Sequence, residues 1–217
     1  MEKDLGIKID SQLNFDNHIS EIITKANKIV GVIKRNFRAL NYSSFSALYK
    51  SLVRSHLEYG QSVWSPYKMK QIEALEAVQR RATKIIPSLR NLSYTERLRR
   101  LSLPTLTYRR VRGDMIELYK IVHGVYSVDA CPKLEFSATT KTRGHCYKIF
   151  KRPCLTNARL HYFSYRVVDN WNSLPNDVVT ACSVNSFKNA LDKYWSSQDT
   201  VYNYRSLITA GNPDRNY

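Results

Sequence analysis

The sequence predicts a mainly α protein: a short N-terminal β-hairpin, a helical bundle, and a second, smaller helical region. Three observations carry this. Apolar residues recur at helical spacing through most of residues 16–124, period-two alternation is confined to the first ten residues, and Pro87, Pro104 and Gly124 stand where periodic segments end.

Leu5, Ile7 and Ile9 alternate with Asp4, Lys8 and Asp10, as a half-buried strand requires, and DSQLNFD offers a turn before a return strand. From residue 16 the period lengthens. Ile19, Ile22, Ile23, Ala26, Ile29, Val30, Ile33 and Phe37 share one helical face, with Lys25, Lys28, Lys34 and Arg35 elsewhere on the wheel. NYSS caps a second helix, whose stripe is Phe45, Leu48, Tyr49, Leu52, Val53 and Leu57 and which ends near Gly60. A third is predicted over about 69–86, with Ile72, Leu75, Val78, Ala82 and Ile85 inward and Pro87 as its stop. SYTERLRRLSLP reads as a short helix, and 106–123 as a longer one with Val111, Met115, Leu118 and Val122 inward.

Residues 125–158 change character, with two prolines, scattered Ser and Thr, and the basic run KTRGHCYKIFKRP around a short strand near 147–150. Helical spacing resumes with Phe163, Val167 and Trp171, then with Val184, Phe187, Leu191 and Trp195. The expected organisation is a hairpin over 1–15, a bundle over 16–124, a connection over 125–158, a helical region over 159–196 and a disordered tail over 197–217.

With 217 residues, 43% of them hydrophobic, the chain is long enough for one large core or two small ones. Its charge is more distinctive. Thirty-four Lys and Arg against eighteen Asp and Glu give +16, a surplus confined to the surface by the cost of burying unpaired charge. Nucleic acid is the polyanion it suits, since no basic amphipathic segment adjoins a membrane anchor; the plainer reading is a soluble basic protein. No stretch has signal-peptide or membrane-spanning character, which points to an intracellular protein of nucleus or cytoplasm. Cys131, Cys146, Cys154 and Cys182 are too sparse for a disulfide scaffold, and with His145 they match no zinc-finger spacing.

A search for chemistry finds no phosphate-binding loop, no His-Glu-x-x-His, no nucleophile elbow and no adjacent carboxylates. Glu73 with Glu76, and Asp114 with Glu117, stand at helical i, i+3 spacing among basic residues, where surface salt bridges account for them. A metal-dependent enzyme would require distant acids to converge, with Asp114, Glu117 and Asp169 the first candidates. The arginines say more. Arg80, Arg81, Lys84, Arg90, Arg97, Arg99, Arg100, Arg109, Arg110 and Arg112 fall in one interval, and guanidinium forks suit phosphate. Each alone reads as a solvated helix face. With Lys34, Arg35 and Arg54, the strongest candidates for nucleic-acid contact are Arg80, Arg81, Lys84, Arg109, Arg110 and Arg112. Fifteen tyrosines add little, since Tyr49 and Trp64 read as core.

Five blocks then suggest a family: KDLGIKIDSQLNFDNHI, LYKSLVRSHLEYGQSVWSP, IEALEAVQRRATKII, YRRVRGDMIELYKIVHG and FSYRVVDNWNSLPNDVVTACSVNSFKNALDKYW. Their order and spacing resemble the region downstream of the palm in LINE-type (non-LTR) retrotransposon reverse transcriptases, of the jockey-like group, over residues 2–195. The resemblance implies that LGIKID is similar to the end of the palm, residues 16–86 to the thumb helices, and the remainder to the region that follows. The family's fingers, palm and metal-binding Asp positions have no counterpart here. What is implied is a catalytically incomplete fragment of an RNA-directed DNA polymerase, without enzyme activity or cofactor of its own, that holds RNA, DNA or their hybrid. A palm supplied by another chain is a further expected partner, and a membrane is not one. Two alternatives stand beside this reading: a protein-docking module, and a decayed remnant without function.

Overall fold

The period-two residues form a hairpin, but it reverses earlier than the turn residues suggest. In a computed structural model, which describes residues 2–37, 39–137 and 144–209, β1 (Glu2–Asp4) pairs antiparallel with β2 (Ile7–Ile9), Glu2 opposite Ile9 and Asp4 opposite Ile7. Leu5 and Gly6 form the two-residue turn, both at positive φ, the handedness that matches strand twist. Leu5, expected on the buried face, is thus an exposed tip, and β1 is exposed throughout. DSQLNFD leads to no return strand. It loops around Asp10, whose carboxylate accepts from the N–H groups of Asn14, Phe15 and Gln12 at 2.7–3.1 Å. Burial would raise the Asp10 pKa; those N–H groups outweigh it and hold the group below the usual carboxylate range.

Helix α1 (Asp16–Asn36) buries Ile19, Ile22, Ala26, Val30 and Ile33, the predicted stripe, while Phe37 stands exposed at its end. Asn41 caps α2 (Tyr42–Leu48) by accepting from the Ser44 N–H at 2.7 Å. The helix then widens into a π-helical stretch, Tyr49–Arg54, before α3 (Ser55–Glu58). Its cause lies in the spacing. Phe45, Tyr49, Val53 and Leu57 are all fully buried and recur at every fourth residue. In an α-helix four residues overshoot a turn by about 40°, so three steps would carry Leu57 about 120° away from the Phe45 face. The wider turn absorbs the excess. Leu52, expected inward from α-helical spacing, is accordingly 45% exposed. Gly60 follows at φ +62°, where a Cβ would lie 2.7 Å from Ile7 Cδ1, so both backbone and space demand glycine. After α4 (Gln61–Trp64), α5 (Met69–Ala82) runs parallel to α1. Asp16 accepts from Lys68 at 3.0 Å and Gln71 at 2.7 Å near one end, and Asn27 accepts from Arg81 near the other.

α5 stops at Ala82, short of the predicted 86, and residues 83–86 turn toward Pro87. Glu76, expected at the surface, is fully buried beside Gln79. Tyr94 Oη donates to Glu76 Oε2 at 2.7 Å and the Thr107 N–H to Oε1 at 3.1 Å. Tyr49 Oη donates to Gln79 Oε1 at 2.5 Å, and Gln79 Nε2 donates to Tyr94 Oη and the Pro104 carbonyl. Burial, then the Glu76 charge, push the Tyr94 phenol far up, so it remains a donor. The short helix expected in SYTERLRRLSLP is α6 (Tyr94–Leu101), which Ser93 caps by accepting from the Glu96 N–H at 3.2 Å.

The chain divides into two compact units within α7 (Leu106–Val122), not at 125. One comprises Met1–Tyr108 with Tyr202–Tyr204, the other Arg109–Val201 with Arg205–Tyr217. In the second unit the helical spacing of 157–172 is broken into α8 (Asn157–Leu160), α9 (Phe163–Arg166) and α10 (Val168–Asn172), yet Phe163, Val167 and Trp171 are buried as predicted. After α11 (Asn176–Val179), α12 (Val184–Tyr194) adds Phe187 and Leu191, followed by Trp195. The strand expected near 147–150 is reduced to one antiparallel bridge, Phe136 with Ile149. The Asn172 side chain clamps Ile149, accepting from its N–H at 2.9 Å and donating to its carbonyl at 2.8 Å. Residues 197–209, expected to be disordered, include a 3₁₀ turn at Asp199–Val201 and the buried Gln198 and Thr200. Residues 210–217 of that tail, and 138–143 beside and within the basic run, lie outside the described residues.

His145 is buried and uses both ring nitrogens. Nε2–H donates to the Trp171 carbonyl at 3.0 Å, and Nδ1 accepts from the Tyr147 N–H at 3.2 Å. Burial lowers its pKa below 6.5, and burial does the same to His18.

Two predictions follow from this packing. Deleting Ser51 converts the buried spacing 45, 49, 53, 57 into an ordinary α-helical 4, 3, 4, so the unfolding free energy changes by about 1 kcal/mol or less. Deleting Lys28 from α1 rotates its stripe by about 100° and costs several times more; equal losses in urea titrations would refute the π-turn account. The histidine pKa shifts set a pH dependence. Neutral in the fold and protonated near 6.5 when unfolded, His145 contributes stability that is complete above pH 6.5 and lost as pH falls below it. The unfolding midpoint drops below pH 6.5, and His145→Asn flattens that drop while lowering stability at neutral pH.

Candidate nucleic-acid interface

The predicted contact residues separate into a set exposed without carboxylate or ring partners among the described residues and a set committed to rings, ion pairs or the interior. Arg80 belongs to the second: Nη2 donates to Tyr204 Oη at 3.0 Å, and its guanidinium carbon lies 5.3 Å from the Tyr94 ring centre and 5.6 Å from that of Tyr204. Arg97 is buried, donating to Thr83 Oγ1 at 3.0 Å and the Leu92 carbonyl at 2.6 Å. Arg54 is largely covered and sits 3.7 Å from Glu58. Arg100 pairs with Glu96, and Arg99 lies over Tyr202.

On α7, Arg109 is half-buried and Arg110 only 4% exposed. Burial removes Arg110 from any backbone-tracking surface. Arg112 grips both carboxylate oxygens of Asp192, at 2.5 and 2.6 Å. One helical turn from Arg110, the buried Asp114 takes a forked pair from Arg166 at 2.9 and 3.0 Å. Burial pushes the Asp114 carboxyl up, against the pull of Arg166. The reading of Asp114 as a surface salt-bridge partner is therefore corrected, as is that of Glu76. Asp114, Glu117 and Asp169 face three different cations, Arg166, Lys120 and Lys151. Among the described residues no three His, Cys, Asp or Glu side chains group as metal ligands, and no helix is long and apolar enough to cross a membrane.

The exposed set lies on α1, at the end of α5 and in the turns after it, with Arg81 also bonding Asn27. Lys34, Arg35, Arg81 and Lys84 are exposed, and so are Lys28 and Arg90, which are not among the strongest sequence candidates. Among the described residues none of the six forms an ion pair with a carboxylate. Helix geometry arranges them. Arg81 reaches Asn27 across the two helices, and Lys34, seven residues beyond Asn27, lies on the same α1 face about 10 Å further along. Lys28 and Arg35 repeat that spacing on the neighbouring face. Lys84 continues one turn past Arg81, and Arg90 Nε donates to its carbonyl at 3.3 Å. Cations in last turns also oppose the helix dipole, a role that needs no ligand.

No protein-family model and no solved structure matches the chain. A Caenorhabditis elegans protein, uncharacterized protein B0403.1, is 28% identical over 126 residues, spanning 57% of this chain. The matched stretch covers 64% of that relative's length, and its name assigns no activity.

The split between sets is testable through stability. Arg80→Ala removes two ring contacts and costs about 1–2 kcal/mol in unfolding free energy. Lys84→Ala stays within about 0.5 kcal/mol of the parent chain. Equal effects would show that Arg80 is as loosely held as its exposed neighbours.

Proposed function

We propose that this chain holds nucleic acid along the α1/α5 edge of its first unit, gripping the sugar–phosphate backbone without reading sequence and doing no chemistry by itself. The observation that carries the reading is the group Lys28, Lys34, Arg35, Arg81, Lys84 and Arg90, exposed on two parallel helices and the turns that follow α5, without carboxylate partners among the described residues. A net charge of +16 supports it. The grip suits RNA, DNA or their hybrid, and phosphate contacts supply affinity rather than specificity. It is also what the resemblance to the thumb and post-thumb part of a non-LTR reverse transcriptase leads one to expect, with catalytic carboxylates belonging to a palm outside the matched blocks. The same reading places the protein inside the cell, in nucleus or cytoplasm, where such templates occur.

A protein-docking role would be favoured by an apolar groove along residues 19–37 or 163–171. Ile19, Ile22, Val30 and Ile33, and likewise Phe163, Val167 and Trp171, are instead buried, and the large apolar residues exposed within these stretches are Val32 and Phe37.

Salt titration of binding to a fluorescent RNA–DNA hybrid tests the proposal. Affinity falls steeply with salt, and Lys34→Ala/Arg81→Ala/Lys84→Ala flattens the log–log slope by roughly one per lost contact. No binding at low salt, or sequence-selective binding that survives high salt, would overturn it.

A further inference from the structure

We propose that a cleft in the second unit binds an unpaired nucleobase of single-stranded RNA or DNA, a site separate from the helical edge. The cleft lies between the Phe136–Ile149 bridge region and helices α8 and α9, encloses about 290 Å³, and includes Phe150, Tyr162, Tyr165, Lys133, Arg152 and Arg159 in its lining. That volume is at the small end of ligand sites, fit for a single planar group and too small for a duplex.

Its chemistry is that of a stacking platform. Phe150 is 53% exposed and Tyr162 54%, so two large rings stand half in water beside cations. Unpaired bases stack on such rings, while a duplex keeps its bases covered. Lys133 and Arg159 are exposed and, among the described residues, have no carboxylate partner, which leaves them available to flanking phosphates. Glu135 is the carboxylate in the cleft, and Arg152 pairs with both its oxygens, one at 2.9 Å. Its charge is therefore already answered by a forked pair. Tyr165 is steadied by donating to the Arg152 carbonyl and by Lys151, 5.3 Å from its ring centre. Ile149, Phe150 and Arg152, from the basic run KTRGHCYKIFKRP that the helical edge does not use, thus form one wall of this cleft.

The ligand class rests on the nucleic-acid reading above, but the residues are distinct and can be tested apart. The experiment measures binding of the full chain to labelled oligo(dT) and oligo(U) of about fifteen nucleotides, beside the RNA–DNA hybrid. Phe150→Ala/Tyr162→Ala weakens single-strand binding by about tenfold or more and leaves hybrid binding within about twofold. Both rings are exposed, so an unchanged unfolding midpoint verifies that the variant is folded. Photocrosslinking from 5-iodouracil in the oligonucleotide is expected at Phe150, Tyr162 or Tyr165. Single-strand affinity indifferent to the double change, crosslinks outside the cleft, or equal competition by poly-glutamate would overturn the proposal. Loss of hybrid binding with ring-dependent single-strand binding intact would remove the helical-edge reading and keep the cleft; absence of all nucleic-acid binding would remove both.

Discussion

Glu76 and Gln79, one turn apart on α5 and both fully buried, make the contact on which the first unit depends. Between them they satisfy Tyr49 in the π-helical stretch, Tyr94 at the start of α6, the Thr107 N–H at the start of α7 and the Pro104 carbonyl. A carboxylate and an amide taken out of water are tolerable only when hydrogen bonds replace the lost solvent. Each partner is therefore held to one position. Apolar side chains would permit small slides between helices, whereas these directional bonds fix register. The π turn serves the same end, since it keeps Tyr49 on the face where Gln79 can receive its hydroxyl.

The outer surface inherits that rigidity. α5 is held from inside by the buried node and by Arg97 on Thr83, and sideways to α1 by Gln71 on Asp16 and Arg81 on Asn27. The backbones beneath Arg81, Lys34 and Lys28 thus have set positions, and little ordering of helices remains to be done when a polyanion arrives. Arg80 shows how narrow the distinction is. A rotation of about 100° from Arg81 carries it between two tyrosine rings, where it is part of the fold.

In the second unit a run of rings does comparable work. Trp171, Phe187, Tyr119, His123 and Tyr147 follow one another with centroids 4.1–6.1 Å apart, and His145 meets Trp171 edge-on. Together with the Asn172 clamp on Ile149, this fastens residues 145–149 to α10 by their inner side. Phe150, the next residue, is exposed. Its exposure follows from how its neighbours are held.

Much of this was legible in residue order. The α1 stripe, the short helix within SYTERLRRLSLP and the shared face of Phe163, Val167 and Trp171 are local patterns that local structure obeys. The hairpin reversal at Leu5–Gly6 was obscured by the richer turn composition of DSQLNFD, which Asp10 uses to bind backbone N–H groups. Leu52 is exposed because an α-helical period does not carry across a π turn. By itself the sequence determined the helical character of the chain, the hairpin at its start and a surplus of positive charge, since all three depend on composition and short-range spacing. Only the tertiary structure decided which cations remain without carboxylate partners. Arg112 meets Asp192 and Arg166 meets Asp114 across long stretches of chain, and for the buried Asp114 such pairing is compulsory.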